Sequence, residues 1–144
     1  MDLDKIRNYE QLKETIDDTC WQKFEEIVGK IFELHEYDVE VSKVVTFEDT
    51  KRQYDVLAKK DYWVITDCKK WDNKRRIKHG LKKAAEDQIE RVRRLNLEEE
   101  AYPVVVVSSQ SPIEFHSSVP IVSIYKLNEF LSEFDGYQRE IMSL

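Results

Sequence analysis

The stretch PVVVVSS, Pro103 to Ser109, narrows the possible folds more than any other part of the chain. A strand with one wet face alternates apolar and polar side chains, because successive residues point to opposite sides. Four valines in a row leave no polar side. Val104–Val107 therefore predicts a strand covered on both faces, the situation of inner strands in sheets flanked by helices. The preceding segment fits that setting. From about Arg76 to Leu97, Ile77, Leu81, Ala85, Val92 and Leu95 build one apolar stripe at helical spacing. A strand, this helix and the valine strand imply a parallel, right-handed crossover.

The other elements follow from period and punctuation. Asp17, Asp18 and Thr19 offer caps to a helix in which Trp21, Phe24, Ile27, Val28, Ile31 and Phe32 recur through about His35. A polar lead-in, residues 4–16, is compatible with a further helix. Tyr37–Thr46, Gln53–Lys59 and Tyr62–Lys69 read as strands, the last two as a hairpin. Ile121–Ile124 predicts another strand and Lys126–Phe134 a closing helix. The expected fold is thus α/β, a three-layer sandwich around a mixed sheet, with core order α-β-β-β-α-β and an appended strand and helix. One domain is expected over residues 1–144, with its core at about 19–108, a lead-in at 1–18 and the additions at 119–144.

With 144 residues, 41% of them hydrophobic, the chain has enough apolar mass for such a core. No apolar run approaches the roughly 18 residues of a membrane span. The start, MDLDKIRNYE, is too polar for a secretory signal. Cys20 and Cys68 lack metal-knuckle or disulfide spacing, so reduced thiols and a cytoplasmic location are expected. The net charge of −6 conceals a division along the chain. Residues 1–50 hold 6 basic and 14 acidic side chains, residues 51–94 hold 15 and 7, and residues 95–144 hold 2 and 8. A strongly basic middle is the electrostatic precondition for a phosphate-backbone partner.

That middle also contains acids where a strand pair would otherwise be apolar: Asp55 in QYDVLAK and Asp67 in VITDCK, with Lys69 two residues further on. Residues i and i+2 of a strand share a face, so Asp67 and Lys69 point the same way. A three-residue loop at Lys59–Asp61 sets Asp55 opposite Ile65 and diagonal to Asp67. A two-residue loop without a bulge separates the acids onto opposite faces. Paired carboxylates in a half-buried sheet repel and lose hydration. A hard divalent cation, Mg²⁺ or Mn²⁺, compensates both effects. A strand-end salt bridge is the plainer use of Asp67 and Lys69.

Three further features bear on the choice. Glu25 falls at the edge of the first helix's buried stripe, either reaching inward or packing its methylenes there, while Glu26 points away. Gln88 sits in the middle of the long helix's apolar stripe, where a buried amide needs a partner, either the acidic cluster or a backbone carbonyl. Between Lys69 and Lys83, eight of fifteen residues are basic: Lys69, Lys70, Lys74, Arg75, Arg76, Lys78, Lys82 and Lys83. Arg91 follows on the same helix. Such groups suit a polyanion held beside an ion-binding acid pair.

Together these residues resemble the PD-(D/E)xK nuclease superfamily, in the branch of Mrr-type restriction endonucleases and archaeal Holliday-junction resolvases. The resemblance runs from Trp21 to Val107, through FEE, HEYDVEV, QYDVLA, VITDCKK, the long helix and VVVV. It implies a restriction-endonuclease-like fold and hydrolysis of DNA phosphodiesters. Asp55 matches the acid of the first half-motif, Asp67 and Lys69 the second, and Glu25 the acid of the first core helix. Gln88 and Arg91 resemble a Q-x-x-K feature with Arg in place of Lys; Tyr54 stands where the proline would be. The implied metal ligands are Asp55, Asp67 and Glu25, with Lys69 and Gln88 completing the catalytic set. The basic residues Lys70, Lys74, Arg75, Arg76, Lys78, Lys82, Lys83 and Arg91 are the expected DNA contacts. With only about twenty residues before the core, structure-selective or partner-directed cutting by a homodimer is expected. A module that keeps this fold but binds DNA, or serves as a scaffold, without turnover is the alternative.

Overall fold

The computed structural model describes residues 21–70 and 74–144; the side chains of Trp21 and of residues 74–79 lie outside that description. The expected lead-in helix, Cys20 and Trp71 fall outside it too. Helix α1 spans Trp21–Leu34, followed by strands β1 (Asp38–Thr46), β2 (Lys51–Lys59) and β3 (Trp63–Lys69). Helix α2 covers Lys74–Leu95 and leads to β4, Ala101–Val107. Two short strands, β5 (Glu114–His116) and β6 (Val119–Ser123), precede α3 (Ile124–Ser132) and α4 (Phe134–Tyr137). The six strands form one sheet in the order β1-β2-β3-β4-β6-β5. β3, β4 and β6 are parallel, and the other pairings are antiparallel.

The valine strand has the double cover that its composition demands. Tyr102, Val104 and Val106 pack with Phe24, Ile27 and Val28 of α1 and with Leu127 and Phe130 of α3. Val105 and Val107 pack with Leu81, Ala84 and Ala85 of α2 on the other side. The result is the expected α/β sandwich: helix layer, mixed sheet, helix layer. α2 crosses its face obliquely. Its early residues lie on β4 and β6, whereas Val92 reaches Tyr54 and Leu57 of β2.

Several boundaries differ from expectation for local reasons. α2 ends two residues early because Asn96 takes a left-handed conformation (φ 48) that terminates the turn. β5 escapes the sequence pattern: it is three residues long, and its hairpin with β6 turns on Ser117 and Ser118, both at positive φ. The β2–β3 loop holds residues 60–62 instead of 59–61, because Lys59 pairs with Trp63. Ile65 therefore faces Leu57, not Asp55. Phe130 and Phe134 are core residues at 0% and 2% exposure.

α1 lies unusually close to the sheet. A Cβ on Gly29 would stand 2.7 Å from Val41 Cγ2 and 3.3 Å from Val39 Cγ1. Val is β-branched and stiff, so the strand cannot yield cheaply. Gly29→Ala gains helix propensity but forces α1 away from β1, and a net loss of ~1–2 kcal/mol is expected. The urea midpoint measures it; an unchanged or higher midpoint means that Val41 gives way.

Candidate active site

The acids meet where the sheet departs from regular alternation. On β2, Val56 and Ala58 pack toward α1, whereas Tyr54 and Leu57 both pack toward α2. Tyr54 and Leu57 are three apart, so the strand must rotate between them, at Asp55 and Val56. β1 turns over at the same level. Val39 and Val41 approach α1, but Val45 packs on the α2 side. The change of face coincides with Ser42, whose φ is 55. β1 and β2 keep one register on either side of this point. The hairpin is therefore twisted as a unit, and the β2–β3 ladder stops at Val56 and Thr66, one residue short of both acids.

This rotation lets three elements contribute to one cluster. Asp55 Oδ2 accepts the backbone N–H of Cys68 at 2.8 Å. The Asp55 carboxyl neighbours both Asp67 and Glu25. Ser42 Oγ donates to Glu25 Oε2 at 2.5 Å, which fixes the glutamate rotamer. Glu25 is fully buried, so the inward of its two candidate orientations holds. Lys69 Nζ lies 3.4 Å from Asp67 Oδ2, as same-face residues should.

Burial dominates the electrostatics. It drives the Asp67 carboxyl up to about 7, against the pull of the Lys69 ammonium, and the neighbouring Asp55 pushes the same way. Asp55 is raised chiefly by burial; the Cys68 N–H and the bond to Asp67 oppose the rise, and Glu25 reinforces it. Burial also pushes the free Cys68 thiol well up, so it stays protonated.

Among the described residues, no three His, Cys, Asp or Glu side chains form a ready-made metal cage. Two of the cluster's oxygens are already engaged, by Ser42 and Cys68. Glu25 Oε1, however, is buried without a donor. An acceptor facing other acceptors is satisfied by a proton, a water or a cation between them. The donor set is all oxygen with a high negative charge, which fits a hard divalent ion. The chemistry of Asp55, Asp67 and Glu25 fits such an ion, while their positions form no closed cage.

Gln88 serves the scaffold. Its Nε2 donates to the Ile65 carbonyl at 2.8 Å, the backbone alternative of its two candidate partners. It anchors α2 to β3 two residues before Asp67. Gln88→Ala leaves that carbonyl unpaired and opens a gap, for an expected loss of ~2 kcal/mol. Thermal denaturation reads it.

Arg91 lies with its guanidinium 5.4 Å over the Tyr54 ring and donates to the Gln53 carbonyl. The Tyr54 hydroxyl in turn donates to the Arg91 carbonyl at 2.7 Å. Its charge is felt at Asp67. Lys82 and Lys83 are exposed on α2, and Lys70 is half-buried at the end of β3. Lys74, Arg75, Arg76 and Lys78 begin α2, with side chains outside the described residues.

Sequence reasoning missed Ser42 and the Cys68 amide as supports of the acids. One signal for the first was present: in DVEVSKVVT the valines fall at 39 and 41, then at 44 and 45, a break of parity at Ser42.

Comparison with known proteins adds one relation. No family model matches the chain. An uncharacterized protein of Archaeoglobus fulgidus is 32% identical over 124 residues, which cover 83% of this chain and 95% of the relative. The chain belongs to the same family as that archaeal protein.

Proposed function

We propose that the chain is a metal-dependent DNA endonuclease of the PD-(D/E)xK kind. One observation carries this reading: Glu25, Asp55 and Asp67, from three different elements, converge beside the Lys69 ammonium in a buried setting. A fold under no functional demand would not keep mutually repelling carboxyls there, because their charged forms are costly in a dry site.

Asp55, Asp67 and Glu25 would hold Mg²⁺ or Mn²⁺, which when bound supplies Lewis-acid polarisation of a phosphoryl oxygen. Asp67 orients Lys69 through their contact. Lys69 places a positive charge where negative charge grows on the phosphorus centre, and its N–H groups can fix the direction of an attacking water. Ser42 and the Cys68 amide hold the carboxyls so that little reorganisation is needed. The basic residues of α2 and Lys70 track the backbone phosphates. Cleavage of both strands calls for a second copy of the site, hence a homodimer, with substrate shape or a protein partner directing the cut.

Incubation with branched, single-stranded and linear DNA in Mg²⁺ or Mn²⁺ tests the proposal. Expected are metal-dependent cuts that chelator abolishes; no cutting of any substrate, with DNA still bound, favours a non-catalytic DNA-binding module. That second reading draws support from the two cluster oxygens already engaged by Ser42 and Cys68. Among the described residues no helix is long and apolar enough to cross a membrane.

A further inference from the structure

Near the β1–β2 turn and the end of α2, three guanidiniums gather around two aromatic rings. Arg52 shares the α2-facing side of β2 with Tyr54, and Arg91 and Arg94 lie one helical turn apart on α2. Arg91 stacks 5.4 Å over Tyr54 and Arg94 5.0 Å over Phe47. All three charges act on the Tyr54 hydroxyl. Packing against rings holds a guanidinium in one orientation, so less freedom is lost when it meets an anion.

The carboxylates that partner this cluster are largely exposed. Arg94 pairs with Asp49, which sits in the turn between β1 and β2 and whose side chain is 68% exposed. Arg52 reaches Glu90 at only 3.8 Å, and that carboxylate is 66% exposed. The Nε–H groups of Arg52 and Arg94 are buried without an acceptor among the described residues. Two dry, unmet donors beside exposed and displaceable carboxylates describe an anion site with a stand-in occupant.

We propose that Arg52, Arg91 and Arg94 form a phosphate-binding subsite that holds the nucleic-acid backbone on the hairpin side of the acid cluster, and that Asp49 covers it in the free protein. The proposal rests on the nuclease reading for the identity of the polyanion. It places the acids between two basic regions: Lys70, Lys82 and Lys83 on one side, and this arginine group on the other. A strand crossing the acids is then gripped on both flanks. That fixes which phosphate stands over Asp55 and Asp67.

The test is the binding of fluorescein-labelled four-way-junction DNA to the whole chain in chelator, over a series of salt concentrations. Every phosphate that the protein no longer neutralises lowers the slope of log K against log salt by about one. The double variant Arg52→Ala/Arg94→Ala is expected to bind ~10- to 100-fold more weakly, with a slope smaller by about two. Asp49→Ala removes the competing carboxylate and is expected to bind ~3- to 10-fold more tightly, a sign that mere loss of structure cannot produce. Wild-type slope and affinity in both variants overturn the subsite while leaving the nuclease reading intact. If the wild-type chain binds no DNA at low salt, the nuclease reading itself fails.

Discussion

Lys69→Ala and Asp67→Ala are each expected to lower the single-turnover rate of DNA cutting by roughly 10²- to 10³-fold, the size found when one charge-stabilising group is removed from a preorganised site. Affinity for DNA in chelator should stay within about twofold, because in the proposed function the phosphates are held by basic groups elsewhere. The two variants should part company in stability. Lys69 is the counter-charge within 4 Å of Asp67, so its removal leaves a buried carboxyl unsupported. Removal of Asp67 relieves repulsion with Asp55 instead. An inactive protein more stable than the parent marks a residue kept for chemistry at the expense of the fold. Rates in quenched-flow or gel assays, with urea midpoints on the same preparations, measure both. Full cutting by Asp67→Ala removes the acid cluster from the reaction.

How much of this arrangement could be read in the residues depends on which rule governs each part. The layers were legible because Val104–Val107 and the stripe Leu81, Ala85, Val92 obey simple periods, and nothing in the structure overrides them. The spacing of Asp67 and Lys69 was legible for the same reason. Asp55 is expected beside Asp67 from a three-residue loop and beside Glu25 from the family resemblance, but period alone does not bring it to Glu25, because strict alternation from Leu57 would turn it toward α2. What brings it to Glu25 is a rotation shared by two strands, set by Ser42 at positive φ and by Val41 wedged under Gly29. Such a twist belongs to the pairing of helix and hairpin and has no one-dimensional period. The arginine cluster was hidden for a similar reason. Arg52 and Arg94 are 42 positions apart and meet only because α2 runs obliquely across β4 to the β1–β2 turn.

In chelator, the folded protein is expected to lose stability as the pH rises from about 4 to about 7, and to level off above that. Asp67 titrates near 3.8 when exposed and is driven to about 7 in the fold, so between those values the native chain holds a proton that the unfolded chain has released. Stability then falls with pH, since the native state binds more protons than the unfolded state. Asp55, raised in the same direction, adds to the slope. A rise of that size caps the Asp67 contribution at ~4 kcal/mol, and sharing of the proton with Asp55 brings the expectation to ~2–3 kcal/mol. Asp67→Asn should flatten most of the curve. Mn²⁺ or Mg²⁺ should reverse it, by raising the melting temperature strongly at pH 7.5 and hardly at pH 5, where protons compete for the same oxygens. A flat pH profile in chelator would mean that the carboxyls are better solvated than their burial implies. A metal-induced rise that persists in Asp67→Asn would place the ion elsewhere. The same buried repulsion is thus expected to weaken the metal-free fold at neutral pH and to provide the free energy for capturing the cation, so one set of melting curves examines both.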